Sequence, residues 1–134
     1  MLVSMLDTNL CVRALRDRPT FIRERMKRES GTLCISTMIL YELYVGVALS
    51  SDPDKGRREV EKFASMLIVL DFDAQAAGHA ADIRATLTRA GNIIGPNDLL
   101  IAGHARSLGL KLITGNLREF SRVDGLRCED WLAD

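Results

Sequence analysis

The sequence predicts an α/β domain in three layers, with a small parallel sheet of four to five strands between helices. Three observations carry that expectation. Short apolar runs of strand length recur at 2–6, 32–35, 67–70 and 110–114, with a weaker one at 126–128. Helical patterns separate them, and alternation of the two calls for parallel pairing. Polar residues follow two of the strands at once, Asp7 after the first and Asn116 after 110–114. In open parallel sheets that is the edge where ligands bind.

The elements follow in order. Leu2-Val3-Ser4-Met5-Leu6 is too short to span a membrane or lead secretion and fits a buried strand. Residues 8–16 and 20–29 are polar, Arg-rich helices, with Pro19 near the start of the second. Residues 36–50 form an apolar helix entered through Ser36-Thr37, both good N-cap types. Its apolar residues lie nearly all round, which predicts a mostly buried helix. Pro53 opens an amphipathic helix over 53–66, and Gly91 closes an Ala-rich one over 73–90. Residues 96–108 carry Pro96 at the start and Gly109 just past the end.

With 134 residues, 47% of them apolar and 27% charged, the chain has the size and make-up of one soluble domain spanning 1–134. Net charge is zero, so any polyanion must be met by local patches. Cys11, Cys34 and Cys128 are odd in number and lack a C-x-x-C pair, which leaves zinc and dithiol chemistry unsupported. They read as small core residues in a reducing, cytoplasmic compartment. His79 and His104 sit in Ala- and Gly-rich helices and read as packing or hydrogen-bonded residues.

The acids carry the functional signal. Taken alone, Asp7 is an N-cap, Asp98 suits the first turn of its helix, and Asn116-x-x-Glu119 is a capping-box variant. Glu42 stands inside the apolar run Met38 to Val47, where a carboxylate is costly unless paired or bound to a cation. Together they point to one acidic pocket for a hard cation such as Mg²⁺ or Mn²⁺, and so to phosphodiester hydrolysis by metal-activated water. Thr8 and Thr114 follow strands and are placed to orient a carboxylate or water from behind. Basic residues crowd the first two helices at Arg13, Arg16, Arg18, Arg23, Arg25, Lys27 and Arg28. Arg13, Arg16 and Arg23 are the weaker candidates for RNA phosphates, against a plain solvated face. Lys55, Arg57 and Arg58 read as surface.

Met5-Leu6-Asp7-Thr8-Asn9, Ser36-x-x-x-x-x-Glu42-Leu43, Gly95-Pro96-Asn97-Asp98-x-x-Ile101-Ala102-x-His104-Ala105 and Thr114-Gly115-Asn116-x-x-Glu119-Phe120 occur in that order through to Trp131. The ordered set resembles the PIN-domain ribonucleases, above all the VapC-type toxins of type II toxin–antitoxin modules. The resemblance implies a PIN-like three-layer α/β/α fold. It implies a Mg²⁺- or Mn²⁺-dependent endoribonuclease acting on structured RNA such as tRNA. Asp7, Glu42 and Asp98 match the three acidic metal positions, with Glu42 acting directly or through water. Asn116 falls where many members carry a fourth acid, and Glu119 one turn on can supply that charge. Homodimers and a VapB-type antitoxin, inserting a basic residue among the acids, are the implied partners. The rival readings are a non-catalytic RNA- or protein-binding scaffold of the same fold and a phospho-receiver-like signalling domain. Lys111, at the start of its strand, counts against the latter.

Overall fold

The computed structural model describes residues 1–132, so the last two residues of the expected 1–134 domain lie outside it. Five parallel strands form one sheet in the order β3-β2-β1-β4-β5. They are β1 (Ser4–Leu6), β2 (Leu33–Ser36), β3 (Ile68–Leu70), β4 (Lys111–Ile113) and β5 (Cys128–Glu129). Helices α1 (Thr8–Arg16) and α2 (Phe21–Arg28) join β1 to β2, and α3 (Thr37–Ala48) and α4 (Pro53–Ser65) join β2 to β3. Helices α5 (Ala74–Arg89) and α6 (Pro96–Ser107) lead back to β4, and a single turn, α7 (Leu117–Phe120), precedes β5.

β1 is the centre of the sheet and is buried along its whole length, as a strand covered on both faces must be. Its register places Met5 beside Cys34 on one side and Leu112 on the other, with Leu6 beside Ile113. The chain moves outward from β1 to β3, then crosses back to place β4 on the other side of β1. Right-handed crossovers require the helices of these two excursions to lie on opposite faces. The direction of travel therefore reverses between β1 and β4, and their carboxyl ends flank a crevice.

Helix termini obey local chemistry. Ser36 Oγ accepts from the Met38 amide, and Asp52 and Asp73 cap α4 and α5 in the same way. Gly91 and Gly109 follow α5 and α6 at φ +67°, where a side chain would be strained. α5 and α6 approach so closely that a Cβ on Gly103 would lie 2.5 Å from the Ala80 amide nitrogen.

Three expectations need correction. The helix over 36–50 is not mostly buried: within α3 only Ile39 and Leu43 are buried, while Tyr41 is 54% and Val45 42% exposed. It lies in an outer layer, and its second apolar face is left without a cover. The last strand falls at Cys128–Glu129, later than 126–128. Residues Leu117–Phe120, read only as a capping pattern, close one helical turn. The cysteines are free, with Cys11 and Cys34 buried and Cys128 half-buried. Burial pushes the thiol of Cys34 up to about 12 and that of Cys128 to about 11, which keeps them unreactive. Among the described residues no helix is long and apolar enough to cross a membrane.

Candidate active site

The β1/β4 crevice is built from the ends of its two strands. The Asp7 amide donates to the Ile113 carbonyl at 2.9 Å, continuing the ladder one residue past β1. Asp7 is thereby held at 5% exposure. Both of its oxygens are engaged: Oδ1 accepts from the Thr8 amide and Oδ2 from the Thr114 hydroxyl, each at 2.7 Å. Burial pushes its carboxyl up, the Thr114 and Thr8 bonds oppose that, and the charge of Glu42 adds to the rise. Asp7 is thus both the cap of α1 and a wall of the crevice.

Glu42 comes from α3. Thr8 Oγ1 donates to its Oε1 at 2.7 Å, and Asn97 Nδ2 to its Oε2 at 3.5 Å. Glu42 is half-buried, and these bonds hold its carboxylate against the first residue of α1 and the first turn of α6. Asp98 enters from the first turn of α6. Burial, hydrogen bonding with Glu119, and the charges of Asp7, Glu119 and Glu42 push it up to about 7. Glu119 enters from α7 and accepts from Asn116 Nδ2 at 3.0 Å.

Thr8 and Thr114 therefore each hold one acid. Thr114 Oγ1 also accepts from the Asn116 amide at 3.0 Å, which ties the turn after β4 to Asp7. Asn116 does not cap α7 through its side chain; its amide group turns to Glu119 instead.

A cleft of about 780 Å³ runs along α1 and is lined by Asn9, Arg13, Arg16, Arg18, Asn116 and Asp130. Arg13 and Arg16 thus line this cleft together with Asn116. Arg23 does not. Its guanidinium donates to the carbonyls of Ala14 and Leu15, tying α2 to the end of α1. It lines a separate cavity with Lys27, Leu33 and Phe63, by the amino end of β2. Sequence reasoning passed over Asn97 as a partner of Glu42, although it lies inside a motif that carried the resemblance. Asp130 left no signal, since only the pairing of β5 brings it to the cleft. The histidines lie elsewhere: His104 Nδ1 is 2.8 Å from Ser36 Oγ, and His79 Nδ1 accepts from Arg106.

Among the described residues, no three His, Cys, Asp or Glu side chains are drawn tightly enough together to ligate an ion as placed. The donor set nevertheless fits a hard cation. Among the described residues, none of Asp7, Glu42, Asp98 and Glu119 is paired with Lys or Arg. Among the described residues they are held by hydroxyl and amide donors and, for Asp98, by Glu119; burial, that bond and the neighbouring charges leave Asp98 protonated to near neutrality. A divalent cation relieves the repulsion among those charges with the oxygen donors it prefers.

The sequence pattern of the PIN domain matches residues 4–126. The chain belongs to the PIN-domain family. It is 49% identical over 131 residues to the tRNA(fMet)-specific endonuclease VapC of Shigella flexneri, covering 98% of this chain and 99% of that relative. It is 42% identical over 132 residues to ribonuclease VapC2 of Haemophilus influenzae, covering 98% of this chain and all of the relative. A chain of the DNA-bound VapBC crystal structure from Salmonella typhimurium superposes with a TM-score of 0.94 at 49% identity, over 98% of this chain and 99% of that one. The expected α/β/α fold with its parallel sheet is the fold observed, and the protein is a VapC-type nuclease.

Proposed function

We propose that the protein is an endoribonuclease that hydrolyses RNA with Mg²⁺ or Mn²⁺, and the toxin half of a toxin–antitoxin pair. The observation that carries the site reading is the convergence of four carboxylates, free of any Lys or Arg partner among the described residues, at the reversal point of the sheet. Asp7 and Asp98 would hold the cation, with Glu42 completing its shell directly or through water. When bound, such an ion lowers the pKa of water, aligns it with phosphorus and stabilises the departing oxygen.

The chain's own residues do the rest. Thr114 and Thr8 fix the rotamers of Asp7 and Glu42 through the 2.7 Å bonds. Asn116 and Glu119 position the attacking water and the leaving group. Arg13 and Arg16 hold flanking phosphates in the cleft along α1. Water attacks phosphorus in line, the P–O3′ bond breaks, and the proton goes to the 3′ oxygen. The products are a 5′-phosphate and a 3′-hydroxyl, since the ribose 2′-hydroxyl is not the nucleophile.

The Shigella relative's name supports tRNA as the structured substrate, and the named VapBC complexes support a VapB-type antitoxin. Acids with no Lys or Arg partner among the described residues suit a basic antitoxin side chain. A second copy of this chain is the proposed cover for the outer face of α3, where Leu40, Tyr41, Tyr44 and Val45 line an apolar groove. Purified protein incubated with tRNA, with and without EDTA, tests the reaction. Cleavage is expected only with the metal, and cleavage that persists in EDTA would defeat the mechanism.

A further inference from the structure

Gly95 occupies an unusual position beside the acids. It is the residue before Pro96 and the N-cap of α6, at φ −57° and ψ 149°. Those angles suit any L residue, so no backbone requirement calls for glycine. The reason lies in the space above its Cα. A Cβ built there would meet Asp98 Oδ2 at 3.1 Å and Asp98 Cγ at 3.7 Å, and no other atom of the described residues outside its chain neighbours within 4 Å. The carboxylate rests on bare backbone.

Nothing around Gly95 can yield instead. Ile94 is 2% exposed and anchors the preceding residue in the core. The Ile93 carbonyl accepts from Arg122 Nη1 at 3.1 Å, which ties this loop to the segment carrying Glu119. The Gly95 carbonyl accepts from the Leu99 amide at 3.0 Å and so opens α6. Pro96 bars the local backbone from the helical region. A methyl group at 95 must therefore be accommodated by moving the Asp98 carboxylate a few tenths of an ångström.

We propose that Gly95 is a positioning residue of the nuclease site, whose missing side chain sets where the Asp98 carboxylate stands relative to Asp7 and Glu42. The proposal rests on Asp98 as a cation ligand. Cation sites and in-line attack tolerate little displacement, so a single methyl group is a sensitive probe of that geometry.

The test uses the purified full-length chain and Mn²⁺ binding read by the free-ion electron paramagnetic resonance signal, beside steady-state cleavage of tRNA. Gly95→Ala should weaken Mn²⁺ binding and lower kcat by ~3- to 10-fold each, with KM for RNA within about twofold of the parent, because the cleft that grips phosphates is untouched. Gly95→Val should lose more than Gly95→Ala on both readouts. The thermal midpoint of Gly95→Ala in EDTA should stay within about 4 °C of the parent. Should it fall further, the loss must disappear in an Asp98→Ala background, since the clash is with that side chain. A loss that persists there overturns the proposal. So does unchanged Mn²⁺ affinity in Gly95→Ala when Asp98→Asn has lost the ion. Unchanged Mn²⁺ affinity and cleavage in Asp98→Asn would instead overturn the ligand reading beneath it.

Discussion

Two half-buried carboxylates show how neighbours decide what an acid does. Glu129, at the end of β5, accepts from Lys111 Nζ and Arg25 Nη2, each at 2.7 Å. Arg25 also bonds Glu29 and stacks 4.4 Å from the Trp131 ring centroid. The Lys111 hydrogen bond, followed by the Lys111 and Arg25 charges, holds the Glu129 carboxyl below its usual range. Asp98, in the first turn of α6, is pushed up to about 7 by burial, by its hydrogen bond with Glu119 and by the charges of Asp7, Glu119 and Glu42. The first acid closes a clamp that fastens β5 and Trp131 to α2 and β4. The second belongs to a group of charges that the fold assembles without balancing. The clamp is complete within the chain, whereas the crevice needs something brought from outside.

The sharpest break between the two regions is chemical. Asp7→Asn should cut RNA cleavage by at least ~10³-fold in an assay at saturating Mg²⁺, since a ligand of the cation is lost. Its folded structure, checked by circular dichroism, should survive. Full activity in Asp7→Asn would defeat the metal-site reading. Next comes Thr8→Val, which keeps the shape of the side chain but removes the hydrogen bond to Glu42 Oε1. Metal affinity or kcat should fall by roughly 10- to 100-fold, the range for outer partners of metal ligands.

Glu129→Gln should leave cleavage per folded molecule unchanged and lower stability by about 1 kcal/mol, because the pairs it breaks are partly open to water. Thermal melting would read that, and a loss of cleavage would show that the clamp reaches the site.

The two regions also differ in pH dependence, where they carry opposite signs. Folded Asp98 keeps its proton up to about 7, against an ordinary value of 3.8. Between these values the folded chain holds a proton the unfolded chain has released, so metal-free stability falls as pH rises from about 4 to about 7. Glu129 is held below its ordinary 4.5. Its contribution is present above that value and is lost as pH falls through the lower folded one. Melting in EDTA from well below pH 4 up to about pH 7 should show Asp98→Asn removing the decline at the upper end and Glu129→Gln removing the gain at the lower end. Mn²⁺ affinity of the parent should also climb toward pH 8, because proton and cation compete for Asp98.

Much of this was legible along the chain. The apolar runs announced four strands and the weaker fifth, and helix bounds fell within a residue or two because caps such as Ser36 and stops such as Gly109 act locally. Asp7, Glu42, Asp98 and Thr114 were visible as polar residues in apolar settings or at strand ends. Asn97 and Gly95 were less so, because the first matters only through its reach to Glu42 and the second only through the carboxylate above it. Arg23 shows the reverse failure. Its charge suggested RNA, but the packing of α2 against the end of α1 spends it on carbonyls.

The sequence by itself determined the alternation of strands and helices, the single core and the choice of acids, since patterning and capping depend on near neighbours. Only the tertiary structure decided that β4 returns to the flank of β1. That one crossing sets Asp7 against Thr114 across 107 residues and brings Asp98 and Glu119 to the same crevice. It also decided which acids found cations. Charge pairing acts over a few ångströms, and distances of that size between remote residues exist only once the chain has closed on itself.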